Sequence, residues 1–261
     1  MRIATWNVNG IRPRLEQIKQ VLTQWDIDIL CMQETKIDDS IFPHQDFEDL
    51  GYQHRMIVGQ KAYHGVAIVS RLPFAQQFRQ VFAGVDDKRH AAVKVAGLEL
   101  HCFYCPAGGD VPDRDKNPKF DHKMRFYADA KQWFLDNRSA QDPLLLLGDF
   151  NIAPHENDVW NHRKLSKSVG HSPLEVETYL DFQNALQFQD LPRKALSFDD
   201  KLFSWWGYRY PQSVQKDYGW RLDHAWATPL LDERIKATAH VKDTRLWEKP
   251  SDHIPILIDL D

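Results

Sequence analysis

The sequence predicts an α/β chain in which two β-sheets of mixed strand direction pack together with helices outside. Two observations predict it. Many short strand-like runs alternate with only a few helical ones. The polar residues best suited to chemistry stand at the ends of those runs: Asn7, Glu34 and Asp149 at strand C-termini, Asp223 and Asp252 at strand N-termini. If they share one site, the strands must run both ways. A purely parallel doubly wound sheet, whose site uses carboxyl ends only, is then excluded.

The elements follow in order. Residues 2–8 read as a first strand, and Leu15, Ile18, Val21, Leu22 and Trp25 then fall at helical spacing, with Pro13 near the start where a helix tolerates it. Residues 27–33 form a second strand, and residues 65–70, 91–95 and 98–104 are short β-type runs between Gly or Asp turns. Phe120, Met124, Tyr127, Ala128, Phe134 and Leu135 trace one face of a long helix, with Lys131 at its edge. Leu144-Leu145-Leu146-Leu147 before Gly148-Asp149 is a buried central strand ending at a site. A helix carrying Leu174, Val176, Tyr179, Leu180 and Leu186 follows, and residues 222–227 and 254–260 close the chain as strands. No repeat, low-complexity tract or Gly/Ser linker interrupts this, so one domain is expected over residues 1–261.

The chain has 261 residues with 43% hydrophobic and 27% charged content, the mix of a packed, water-exposed globule. It carries no apolar run near the ~18 residues of a membrane span. The N-terminus enters a strand directly, without a signal-peptide pattern, so a cytoplasmic protein working on the nucleoid is expected, with no membrane partner. Cys102 and Cys105 form a C-x-x-C, but three residues along a strand puts them on opposite faces, and no second pair completes a zinc site. They read as a buried thiol and a loop thiol. A net charge of −4 counts mildly against a non-specific DNA coat, although a cluster of acidic metal ligands gives the same balance.

Carboxylates and amides without thiolates suit a hard cation, Mg²⁺ or Mn²⁺. Phosphodiester cleavage needs such an ion, a group that activates water, and donors for the developing oxyanion. Each residue also has a plainer reading. A Glu after a strand is usually solvated, Asn7 beside Asn9-Gly10 can build a turn, and Ser251-Asp252-His253 can cap one.

The motifs carry a family resemblance. Trp6-Asn7-Val8-Asn9-Gly10-Ile11-Arg12, Gln33-Glu34-Thr35-Lys36, Gly65-Val66-Ala67-Ile68, Tyr104-Cys105-Pro106, Gly148-Asp149-Phe150-Asn151-Ile152-Ala153-Pro154, Phe203-Ser204-Trp205-Trp206, Leu222-Asp223-His224 and Pro250-Ser251-Asp252-His253 resemble, in order and across nearly the whole chain, the motifs of the exonuclease III / AP endonuclease family. The resemblance implies a four-layer α/β-sandwich and a Mg²⁺-dependent phosphodiesterase, with Mn²⁺ as a substitute. By that resemblance Glu34 is the main metal ligand, with Asn7 beside it, Asp252 in support, and Asp149 and Asn151 at the same ion. Asp223 orients His253, Tyr104 contacts the scissile phosphate, Asn151 donates to a phosphate oxygen, and Asp149 transfers the proton, either from water or to the leaving oxygen. Two departures stand out. Ala107, before Gly108-Gly109, replaces an amide side chain, and His224 replaces an apolar residue.

The expected partner is duplex DNA with abasic sites or blocked 3′ ends, met by a monomer. Basic residues concentrate near the site motifs, including Lys88-Arg89, Lys116, Lys119, Lys123, Arg125 and Arg163-Lys164. Arg89, Lys119 and Lys123 are candidate phosphate contacts, and Trp205 is the aromatic expected to pack on a base-less sugar. Asp223 and His253 are expected to meet across neighbouring strands. The alternatives are an inositol- or lipid-phosphate hydrolase on the same fold and a non-catalytic binding relative.

Overall fold

A computed structural model describes residues 1–210 and 212–261, with the backbone alone at residues 195, 232 and 233. Among the described residues, twelve strands form two six-stranded sheets. The first sheet orders β11 (Ile235–His240), β12 (Ile256–Leu260), β1 (Arg2–Asn7), β2 (Ile29–Gln33), β4 (Val66–Ser70) and β3 (His54–Val58). The second orders β5 (Phe74–Phe78), β6 (His90–Val95), β7 (Leu98–Tyr104), β8 (Leu144–Asp149), β10 (Asp223–Ala227) and β9 (Gln189–Asp190). Each has one parallel pair near its centre, β1 with β2 and β7 with β8, among antiparallel neighbours. Both sheets are therefore mixed, as the strand-end argument requires.

Alternation along the strands makes the layers. Ile3, Ile29, Cys31, Ile68, Val93, Leu100, Cys102, Leu145, Leu147, Ala225 and Ile258 fill the space between the sheets. The opposite set, with Ala4, Trp6, Leu30 and Met32, packs on α1 (Ile11–Gln24) and α2 (His44–Glu48). Phe103, Leu144, Leu146 and Trp226 pack on α3 (Pro118–Asn137) and α5 (Pro173–Ala185). The shorter α4 (His162–Leu165) and α6 (Leu191–Ala195) lie in the connections around β9. Helix, sheet, sheet and helix make four layers.

Several boundaries differ from expectation. Strands β3, β5, β9 and β11 were not foreseen; all four are sheet edges, and β5 and β11 expose much of their length. On α5 the buried face is Glu175, Tyr179 and Phe182, while Leu174 is exposed. Cys105 lies in the loop after β7, as expected, and is buried there with residues of α3. His224 is buried too: its Nε2–H donates to the Ile152 carbonyl, and Nδ1 accepts from Tyr179. It joins β10 to α5 and to the segment after Asn151, a structural use that accounts for a polar residue there.

Candidate active site

The same alternation builds the site. On β1, Ile3 and Thr5 point between the sheets, so Asn7 does too. On β7 the inward set ends with Tyr104, and on β8 Leu145 and Leu147 lead to Asp149. Pairing then aligns them, because Asp149 stands opposite Asp223 on one side and Tyr104 on the other. Gly148 is needed just before Asp149. A Cβ there would lie 1.9 Å from the Phe103 carbonyl oxygen, at φ +143°.

From the other sheet, Asn7 Nδ2 donates to Glu34 Oε1 and to Asp149 Oδ2, both at 2.9 Å. Its Oδ1 accepts the Asn9 N–H at 3.0 Å. Asn7 thus ties the Glu34 and Asp149 carboxylates together. His253 follows a short link from Ser251, whose hydroxyl donates to the Asn7 carbonyl at 2.7 Å. Its Nδ1 lies 2.8 Å from Asp223 Oδ2 and its Nε2 lies 3.8 Å from Asp149 Oδ2. The Asp223–His253 pair therefore bridges the two sheets; β10 and β12 are not neighbours. Ser204 donates to the same Asp223 oxygen at 2.6 Å and takes the N–H groups of Leu222 and Asp223, which fixes the carboxylate.

Charge is concentrated here. Burial, reinforced by Asp223 and Glu34, pushes the Asp149 pKa up to about 7. Burial opposes the His253 charge, but Asp223 and Asp149 outweigh it and raise its pKa to about 10. For Glu34, burial is more than offset by hydrogen bonds from Asn7 and Lys36, and its pKa falls below the ordinary value. Burial, with Glu34 and Asp149 nearby, drives the Tyr104 phenol well above its usual range. Glu34 and Asn151 both have left-handed backbones, φ 52° and 53°, a strained conformation typical of sites whose surroundings impose it.

Ligand atoms of Glu34, Asp149 and His253 lie within 4.8 Å of one another. Two carboxylates in that space fit a hard divalent cation. Asp252 stands beside this group, but Asn9 Nδ2 occupies its Oδ1 at 2.8 Å and the Trp205 indole N–H its Oδ2 at 3.0 Å. Lys36 is a neighbour that sequence reasoning passed over. It pairs with Glu34 Oε2 at 2.7 Å and donates to Asn9 Oδ1 at 2.5 Å. Asn9, Lys36 and Ser204 all lay inside recognised motifs, which was the signal available for them.

Beside the site, Trp205 and Trp220 meet edge to face at 6.4 Å, with Leu222, Val159, Ala153 and Leu165 packed around them. Trp205 is half-buried here, while Phe203 and Trp206 belong to the core. Trp220 was missed, although it stands two residues before the Leu222-Asp223 motif.

Two expected DNA contacts are placed otherwise. Arg89 is largely buried: it pairs with Asp87, donates to the Tyr104 carbonyl, and stacks 4.6 Å over the Tyr104 ring. Lys123 is fully buried in an ion pair with Glu175. Lys119 is exposed in the first turn of α3. Asn151 donates its side-chain N–H to the Cys105 carbonyl at 2.9 Å, and its backbone N–H to Asp149 Oδ1.

Two mixed sheets with an acidic, histidine-bearing site at one shared end define a class of phosphoester hydrolase folds. The model of the Endonuclease/Exonuclease/phosphatase family matches residues 4–253, and the chain belongs to that family. Exodeoxyribonuclease III of Haemophilus influenzae is 30% identical over 98% of both chains. An AP endonuclease structure from Archaeoglobus fulgidus superposes with a TM-score of 0.92 at 31% identity, covering 100% of this chain and 99% of that one. A 3′ phosphatase from Neisseria, solved with a product DNA hairpin, gives 0.91 at 31% identity with the same coverage. No helix among the described residues is long and apolar enough to cross a membrane.

Proposed function

We propose that the protein is a Mg²⁺-dependent DNA repair phosphodiesterase acting as a monomer: an AP endonuclease that also degrades and cleans 3′ ends in base excision repair. The observation that carries this reading is the convergence of Glu34, Asp149 and the Asp223–His253 pair beside the Trp205–Trp220 wall.

Glu34 and Asp149 would hold the ion, which supplies Lewis-acid polarisation of the phosphate. Asp149 either takes a proton from the attacking water or gives one to the leaving oxygen. Water oxygen bonds to phosphorus as the bond to the leaving oxygen breaks. The charged His253 presents Nε2–H to the developing oxyanion, because Asp223 engages its other nitrogen. The Tyr104 hydroxyl, protonated throughout, donates to the same phosphate. The pair of indoles offers flat apolar surface to a sugar that has lost its base, and such a nucleotide is extruded with no base pair to break.

The experiment compares a duplex with one abasic site, a duplex with a 3′-phosphate, and a soluble inositol phosphate, each with and without Mg²⁺. Mg²⁺-dependent cleavage of the two DNA substrates is expected. Phosphate release from the inositol phosphate alone would overturn the reading in favour of a small-molecule hydrolase.

A further inference from the structure

Beneath the site a fully buried ion pair joins two helices. Lys123 Nζ on α3 lies 2.5 Å from Glu175 Oε1 on α5, 2.7 Å from the Asn151 carbonyl and 3.3 Å from the Ala107 carbonyl. An ammonium has three N–H donors, and three acceptors surround this one. Glu175 belongs to the capping box of α5 with Ser172. Its carboxylate also accepts the Gly170 N–H at 2.8 Å. The Gly170 carbonyl in turn accepts the Ala153 N–H at 2.7 Å.

The pair thus touches three segments that border the site. Asn151, strained at φ 53°, has its carbonyl tied to Lys123 and its N–H to Asp149 Oδ1. Gly170 lies against the Trp220 ring, since a Cβ there would be 3.2 Å from Trp220 Cζ3. The 107–109 loop comes so close that a Cβ on Gly108 would be 2.9 Å from Lys123 Cδ. Burying two charges gains little net stability over apolar packing of the same volume, so stability alone is a poor reason for the pair.

We propose that Lys123 and Glu175 are positioning residues that set the Asp149–Asn151 turn and the Gly170–Trp220 wall in their working arrangement. The proposal rests on the phosphodiesterase reading above. It separates Lys123 from a phosphate-contacting lysine, because a buried ammonium releases no counterion from DNA.

The test uses Lys123→Met, which keeps the stem and removes the charge, and the milder Glu175→Gln, which carries the test if the first variant does not fold. Measured on folded protein with an abasic duplex, kcat should fall ~10–100-fold, the scale of a small misplacement of reacting groups. Duplex Kd and the slope of log Kd against log salt should stay unchanged. In parallel, the Asn151 side-chain amide resonance, assigned through Asn151→Asp, should shift in the variants without any substrate present. A weaker Kd with a shallower slope would make Lys123 a direct phosphate contact and overturn the proposal. Unchanged kcat with only a lower Tm would reduce the pair to packing and also overturn it. If the parent protein cleaves no abasic DNA, the functional reading fails, and the amide resonance still decides whether the pair positions Asn151.

Discussion

His253 Nδ1 lies 2.8 Å from Asp223 Oδ2, and the same oxygen accepts the Ser204 hydroxyl at 2.6 Å. Three segments, from both sheets and from the 203–206 strand-like turn, therefore fix one imidazole. His253→Ala should lower the cleavage rate by about 10²–10⁴, the range for a positioned proton-transfer or oxyanion group. Asp223→Asn should lose much of the same amount and the double variant little more, since groups acting as a unit are not additive. A kinetic double-mutant cycle that returned multiplicative losses would dissolve the pair.

Ser204 extends that argument by one residue. Ser204→Ala removes a donor to Asp223 and the acceptor of two buried N–H groups. A stability loss of about 1–3 kcal/mol is expected from the orphaned groups. Urea unfolding reads the loss, and full stability in the variant would remove Ser204 from the network.

Of the three candidate phosphate contacts Arg89, Lys119 and Lys123, Lys119 is the one exposed to solvent. Lys119→Ala should weaken binding equally for all sequences and shallow the salt dependence by about one ion. Fluorescence anisotropy across a salt series checks this, and an unchanged slope would return Lys119 to an ordinary solvated face.

Far from the site, Glu99 accepts from His101 Nε2 at 2.9 Å and from Arg138 Nε at 2.6 Å. Burial alone would raise its pKa, but these two hydrogen bonds pull it from 4.5 to about 2. A carboxyl with a depressed folded-state pKa stabilises the fold above its unfolded value and loses that contribution as pH falls through the folded one. Glu99→Gln should therefore be less stable than the parent at pH 7, by on the order of 2 kcal/mol. The gap should close between pH 4.5 and 2, the two values that bound the titration. Urea midpoints at pH 7 and near pH 2 test this; a gap of constant size would show that the Glu99 charge contributes nothing.

Part of this was legible because an apolar run that ends in a polar group needs no partner to be read: Leu144 to Leu147 before Asp149 marked a strand end, and the mixed strand directions followed from which ends carried such groups. Lys123 was misread for the opposite reason. It stands three residues after Phe120, on the buried face of α3, but its charge suggested solvent, and the partner that neutralises it lies 52 residues away. Arg89 was misread likewise, its partners being Asp87 and the Tyr104 ring. Edge strands such as Ile235–His240 escaped because solvent on one side blurs the apolar pattern. The turn of Asn7 Oδ1 toward Asn9 is a matter of hydrogen bonding that spacing does not encode.

The proposed function requires Glu34 and Asp149 together to hold a divalent cation with which the protein cleaves DNA at abasic sites. Single-turnover cleavage of a 5′-labelled duplex with one abasic site, by the parent protein and by Glu34→Ala, across a Mg²⁺ titration, tests it most directly. The parent should cut in Mg²⁺ and not in EDTA, while Glu34→Ala, still folded, should need far more Mg²⁺ and remain much slower at saturation. Cleavage that persists in EDTA, or full activity of Glu34→Ala at low Mg²⁺, would contradict the account.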